Sequence, residues 1–348
     1  MTYTQAVWDP DGADPDRIVP IDYGPSRAQK VEWWYPSSFN PDDGTGTPAQ
    51  GGKYPILIYF HGGGWNKGRP DHITGEAIWT PLEADDGTYD VIVCSVNTRQ
   101  NTYNTQGPPV ELDGSTYHNS YGTVLGTEPM SRANGFEGIL DARRGVSCVR
   151  SEAPYWFPTA DPNNVVLAGG SAGAFRTQFV GYGPSLPYSG GQGQFAADYY
   201  SADEPSNGVV GVWTYWAMGD LRDIDDDPND GVGLVSQGLF NRSATEYARM
   251  SEKKILAMSP ENIIREWGGK PTILSYTTLP VGTETFGVHD SDNAAALIAA
   301  LDSQSQPWSY YNDAFSGKDA TINASAIWEG MKDMWNGSFT GEGQVGAP

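Results

Sequence analysis

Gly169-Gly170-Ser171-Ala172-Gly173 sets one hydroxyl among small residues, directly after the apolar run Val165-Val166-Leu167-Ala168. The residues that follow, 174–180, read as helix. A chain passing from strand through G-x-S-x-G into helix must turn sharply, and small neighbours let it turn without clashes. Such a turn holds the hydroxyl out at the top of a sheet, beside a helix N-terminus. A hydroxyl so placed can attack a carbonyl carbon once a base takes its proton. Upstream, His61-Gly62-Gly63-Gly64-Trp65 follows residues 54–60, an apolar run that reads as a buried strand. Three successive glycines let backbone N–H groups face a ligand closely. Tetrahedral intermediates of acyl transfer need such donors where the oxyanion forms. Either motif alone also fits a glycine-rich turn. The two in order, each after a strand, favour acyl-transfer chemistry.

Together these motifs resemble the α/β-hydrolase superfamily on its esterase side. The similar groups are the H-G-G-G carboxylesterases, hormone-sensitive-lipase-like enzymes and feruloyl-esterase-like enzymes. The resemblance implies an α/β fold of the α/β-hydrolase type, a mostly parallel central sheet flanked by helices, with lid or cap insertions. It implies hydrolysis of carboxylic esters through an acyl-enzyme, on short acyl or carbohydrate-linked acyl and feruloyl esters, with no cofactor. Carried onto this chain, Ser171 is the nucleophile, and Gly63, Gly64 and Ala172 form the oxyanion hole.

A serine also needs a base, and the base needs an orienting acid. The chain has four histidines. His61 belongs to the glycine motif, where the resemblance gives it a structural role. His72 lies just past that loop, and His118 lies in an irregular stretch. His289 alone follows Ser171, so it is the base by elimination in the order Ser, acid, His. Asp220, in Gly219-Asp220-Leu221 after the strand read at 208–216, is the leading acid, with Glu284 the alternative. Asp290 and Asp292 flank His289 but also suit a helix cap. Asp319 sits in Phe315-Ser316-Gly317-Lys318-Asp319, where the resemblance implies a histidine and none stands. Three readings stay open. The strands are miscounted by one, or the triad is rearranged, or the base is lost and the protein is a silent binding or structural member of this fold.

The elements that must carry these residues alternate. Strands are read at 54–60, 89–97, 165–168, 208–216, 271–277 and 308–314, the last being the final strand. Helices are read at 74–84, 136–151, 291–301 and 324–335. Residues 161–164, Asp-Pro-Asn-Asn, read as a turn before the serine strand. Alternation implies a parallel sheet covered by helices, with ligands at the carboxyl ends of its strands. The 348 residues suit a single domain, 1–348. Residues 100–134 read as an insertion or lid loop, and 182–207 and 228–268 as cap segments. Trp65, Tyr103 and Tyr188 are the expected substrate contacts. Trp213 and Trp216 read as core.

The net charge of −22, from 43 acidic and 21 basic residues, argues against nucleic-acid partners and anionic membrane surfaces. The expected partner is a small-molecule or carbohydrate ester. No apolar run approaches the roughly 20 residues of a membrane span. The first 20 residues lack the basic and apolar regions of a secretory leader, which points to the cytoplasm, or to secretion with a leader removed. Cys94 and Cys148 read as small core residues, with no disulfide demanded. No H-E-x-x-H or C-x-x-C offers a metal cage, and the acidic run 223–230 reads as a solvated loop.

Overall fold

The computed structural model describes residues 3–5, 21–24, 29–40, 45–65, 79–83, 87–99, 117–118, 124–126, 135–183, 208–221, 239, 249–276, 292–311 and 320–345. Its elements run β1 (Tyr3–Gln5), β2 (Ile21–Asp22), β3 (Lys30–Pro36), β4 (Phe39–Asn40), β5 (Thr45–Gly46), β6 (Tyr54–Phe60), α1 (Trp79–Glu83) and β7 (Ile92–Val96). Next come β8 (Tyr117–His118), β9 (Val124–Gly126), α2 (Gly135–Trp156), β10 (Ala160–Gly170), α3 (Ala172–Tyr182) and β11 (Val209–Tyr215). The chain closes with α4 (Glu252–Ala257), α5 (Pro260–Trp267), β12 (Thr272–Ser275), α6 (Asp292–Ser303), β13 (Trp308–Tyr311), α7 (Ala320–Asn336) and β14 (Gly343–Val345).

Ten strands form one sheet in the order β1-β3-β7-β6-β10-β11-β12-β13-β14, with β2 paired to β3. From β7 to β14 every neighbouring pair is parallel. Only β1, β2 and the β3–β7 pair are antiparallel. This is the mostly parallel, helix-flanked sheet of the α/β-hydrolase fold. Parallel strands need crossover connections, and the crossing helices cover both faces.

The pattern of β6 shows why. All seven of its residues are buried. Ile56, Ile58 and Phe60 join a cluster with Val146 and Val149 of α2 and Leu297 and Leu301 of α6. Leu57 and Tyr59 join another with Ile327, Trp328 and Met331 of α7. Alternate residues of one strand thus feed two cores, as a period of two requires. Each large apolar side chain so buried contributes about 1.5–3 kcal/mol. Cys94 and Cys148 are buried free thiols, as the composition suggested, and burial pushes the Cys94 thiol up. Among the described residues no helix is long and apolar enough to cross a membrane.

Three elements differ from the sequence reading. Residues 161–164 lie within β10 rather than before it. Ala160 pairs with Tyr54 and Val165 with Ile56, so the extra residues bulge from the ladder. The turn chemistry survives inside that bulge. The Asn163 N–H donates to Asp161 Oδ1 at 3.0 Å. Arg150 donates to the Pro162 carbonyl at 2.8 Å and to Asn163 Oδ1 at 3.0 Å. Helix α2 runs on to Trp156, because Ala153 continues the buried stripe of Ile139, Ala142, Val146 and Val149. The final strand is β14, not the strand at 308–311, and it pairs with β13 after α7 has crossed back. Of the three segments read as lid or caps, much lies outside the described residues. Within them β8 and β9 form a small antiparallel pair, and α5 packs on α3 and α6.

Leu167 is fully buried between its register partners Ile58 and Val212. Leu167→Ala is expected to cost about 2–5 kcal/mol in chemical denaturation. A loss under about 1 kcal/mol would contradict a central β10.

Candidate active site

Ser171 stands between β10 and α3 with φ 54° and ψ −121°. A residue with a β-carbon rarely adopts that backbone conformation. Two main-chain bonds hold it there. The Ser171 N–H donates to the Tyr215 carbonyl at 2.9 Å, and the Ser171 carbonyl accepts from the Phe175 N–H at 3.1 Å. The small neighbours are required. A Cβ on Gly169 would lie 2.5 Å from the Gly173 carbonyl oxygen. Among the described residues four non-glycines have positive φ, and three of them are Trp65, Ser171 and Trp216. They lie just beyond the ends of β6, β10 and β11, three adjacent strands. Such strain costs of order 1–3 kcal/mol each and persists where the surroundings over-determine it.

The glycine loop lies against this elbow. A Cβ on Gly62 would sit 3.0 Å from the Gly170 carbonyl oxygen and 3.5 Å from Ser171 Cβ. Gly63 (φ 106°) and Gly64 (φ 59°) adopt backbone that favours glycine. His61, 1% exposed, fixes the loop with its ring. Its Nδ1 donates to the Gly62 carbonyl at 2.8 Å. In a trans peptide the Gly63 N–H must then point the opposite way. Its Nε2 lies 2.9 Å from Asn97 Oδ1. The Tyr23 hydroxyl in turn donates to the Asn97 main-chain carbonyl. Burial, then the Asp141 charge, raise the Tyr23 phenol well above its usual range.

A buried ionic group backs the loop from the other side. Arg176 Nη1 of α3 donates to the His61 carbonyl at 3.1 Å. Burial lowers its guanidinium to about 10, which leaves it charged at neutral pH. Asp141, fully buried, accepts from Arg99 Nε and Nη2 at 2.8 Å each, from the Arg99 N–H at 3.0 Å and from Gln29 at 2.8 Å.

Of the residues expected from sequence, Ser171, Gly63, Gly64 and Ala172 come together at this edge. Ala172 opens α3 and is fully buried. Trp65 is 2% exposed, edge-on to Phe175 at 5.6 Å in a cluster with Met218 and Leu221, so its ring is a packed wall beneath the loop. Trp213 is core, donating from Nε1 to Ser275 at 2.9 Å. Trp216 is partly buried against the core and stacks on Tyr215 at 4.3 Å. Asp220, 5% exposed, sits just past β11 with Ser259 Oγ 3.3 Å from its Oδ1. Ser259 also accepts from the Leu221 N–H at 2.9 Å, which pins the Asp220-Leu221 turn. His289, Glu284, Tyr103 and Tyr188 lie outside the described residues, as do His72, Asp290 and Asp319. His289 belongs to the connection between β12 and α6, and the connection after β13 holds no histidine. A miscounted strand therefore no longer explains its place. Among the described residues no group of three His, Cys, Asp or Glu side chains is placed to hold a metal ion.

Sequence reasoning missed Asn97, Arg176 and Ser259. Arg176 is the one charge in the stretch 174–180, which marks it as unusual but does not name its partner.

The sheet order and the strand–serine–helix elbow define an α/β-hydrolase fold. No family profile matches the chain, and no curated protein matches it in sequence. Solved structures do match it in fold. A truncated carbohydrate esterase from gut microbiota superposes with TM-score 0.60 over 91% of this chain and 95% of that one, at 13% identity. Thermogutta terrifontis esterase 2, phosphonylated by sarin, gives 0.56 over 93% and 96% at 14% identity. A bifunctional GH43-CE protein of Bacteroides eggerthii gives 0.56 at 11% identity, over 89% of this chain and 37% of that one. At these identities the likeness is one of fold.

The strain at Ser171 can be read thermodynamically. Ser171→Gly is expected to be about 1 kcal/mol more stable than Ser171→Ala, since only glycine relaxes a positive φ. Equal melting temperatures for the two variants would mean that the elbow is unstrained.

Proposed function

We propose that this protein is a serine hydrolase of carboxylic esters that works through an acyl-enzyme. The observation that carries the reading is Ser171 at its positive-φ elbow, packed against a loop whose Gly63 and Gly64 are held by His61. In this reading Ser171 Oγ attacks the ester carbonyl carbon as a base takes its proton. The tetrahedral oxyanion accepts hydrogen bonds from the N–H groups of Gly63, Gly64 and Ala172. Collapse breaks the ester C–O bond, and the base returns its proton to the leaving alcohol. Water then attacks the acyl-enzyme by the same route and frees Ser171.

His289 is the proposed base and Asp220 the proposed acid, with Glu284 the alternative. Main-chain geometry supports the pairing. A Cβ on Gly219 would lie 2.5 Å from the Asn293 carbonyl oxygen, so the start of α6 rests beside Asp220. The chain from Asn293 back to His289 can span about 14 Å at most. Substrates in this reading are short acyl esters or acyl and feruloyl groups on carbohydrate, in keeping with the esterases that share the fold. The stacked Tyr215–Trp216 pair joins Tyr103 and Tyr188 as aromatic surface for such groups. The chain is proposed to be one domain, with 100–134 as a lid and 182–207 and 228–268 as caps.

Wild-type protein should turn over p-nitrophenyl acetate and butyrate, and Ser171→Ala should remove that turnover. Turnover unaffected by this change would sink the assignment. His289→Ala should lower kcat by about 10²–10⁴-fold. The acid is chosen by comparing Asp220→Asn with Glu284→Gln, the true acid giving the larger loss. Absence of a histidine after β13 favours a second reading, a silent binding protein. A folded sample that a fluorophosphonate probe leaves unlabelled supports that second reading, and stoichiometric labelling of Ser171 rejects it.

A further inference from the structure

We infer that Arg176 is a positioning residue for the oxyanion loop. Its buried guanidinium anchors the His61–Gly62 peptide, and through it the N–H groups of Gly63 and Gly64. The inference rests on the esterase reading above. Arg176 is 1% exposed and reaches the His61 carbonyl at 3.1 Å. As a source of stability it is poorly chosen. Taking a cation out of water costs several kcal/mol unless it is well paired. The charge of the buried carboxylate Asp141 favours the Arg176 cation, but its side-chain bonds go to Arg99 and Gln29. Among the described residues the Nε of Arg176 has no hydrogen-bond partner. Among the described residues its hydrogen bond is the one to the His61 carbonyl, a contact that serves geometry.

That bond joins two parts that have to stay in register. Helix α3 carries Ser171 at its N-terminus, Ala172 in its first turn and Arg176 in the next. The loop carries Gly63 and Gly64. His61 holds the Gly62 carbonyl with its ring, and Arg176 holds the carbonyl of His61 itself. Two successive peptide planes are thereby fixed, the first to the helix that bears the serine and the second carrying the Gly63 N–H.

The test uses full-length Arg176→Lys, Arg176→Gln and Arg176→Met with p-nitrophenyl butyrate. Sites are counted by the endpoint of fluorophosphonate labelling, so that kcat refers to competent protein and a partly folded variant still reports. Losing one oxyanion donor outright costs about 10²–10³ in kcat, so displacing the loop should cost about 10–100-fold in Arg176→Met. KM should change less than about threefold, because the donors act on the transition state. Arg176→Lys, which keeps a charged donor, should recover part of the loss. Arg176→Gln or Arg176→Met with wild-type kcat per labelled site would overturn the inference while leaving the esterase reading intact. A loss carried by KM alone, or no recovery with lysine, would also overturn it. Wild-type protein with neither turnover nor labelling would remove the esterase reading and this inference with it.

Discussion

Helix α3 crosses the end of β6 at a distance that admits no side chain. A Cβ on Gly173 would lie 1.9 Å from the Phe60 carbonyl oxygen and 2.8 Å from that of His61. The rest of the site depends on this approach. It brings the first turn of α3 against the glycine loop, so that Ser171 and Gly62 touch. It also brings the next turn within one hydrogen bond of His61, which Arg176 makes. A larger residue at 173 would lift the helix from the strand end and separate the serine from the donors together.

The close crossing is held by the sheet below it. Strands β6 and β10 lie at the centre, and the ladders of β10 set Gly169 opposite Phe60 of β6 and Gly170 opposite Tyr215 of β11. Register alone therefore aligns the three strand ends at which Trp65, Ser171 and Trp216 take up positive φ. Together these strained residues cost of order 3–9 kcal/mol. The apolar burial of two cores offsets that sum, since a few large side chains contribute as much. Three strained residues, the buried Arg176 and the buried His61 collect at one edge, whereas the two faces of the sheet carry the apolar cores. Three of the four positive-φ non-glycines among the described residues thus fall where the proposed chemistry lies.

What the sequence made legible follows from range. Strands β6, β7, β11 and β12 and helices α2, α6 and α7 were readable because apolar periodicity is a local signal. The two glycine motifs were readable because close main-chain contact leaves glycine as its trace. The bulge at 161–164 was not, since its turn residues are the same whether the chain pauses before a strand or within one. Strand β14 was hidden by being three residues of mixed character, defined only by its pairing with β13. Asn97 and Arg176 were hidden for another reason. Their partner is His61, far away in sequence, and an asparagine or arginine carries no mark of a distant carbonyl or imidazole.

The position of His289 can be weighed by the spacing of the strands. In a parallel sheet every strand-to-helix connection opens on the same edge. Neighbouring strands are about 4.8 Å apart, so a base carried after β12 rather than after β13 is displaced by only about 5 Å, toward the serine. Strand β11, which leads to Asp220, stands between β10 and β12. In the proposed triad, a base from the β12 connection would have to span β11 to meet Ser171. The contact of Asn293 with Gly219 marks where that connection returns to the sheet, beside Asp220. Serine, acid and base would then come from three adjacent strands, in the order in which the chain forms them. The rearrangement needs no new element, only a connection after β12 long enough for the span. Residues 277–291 supply that length.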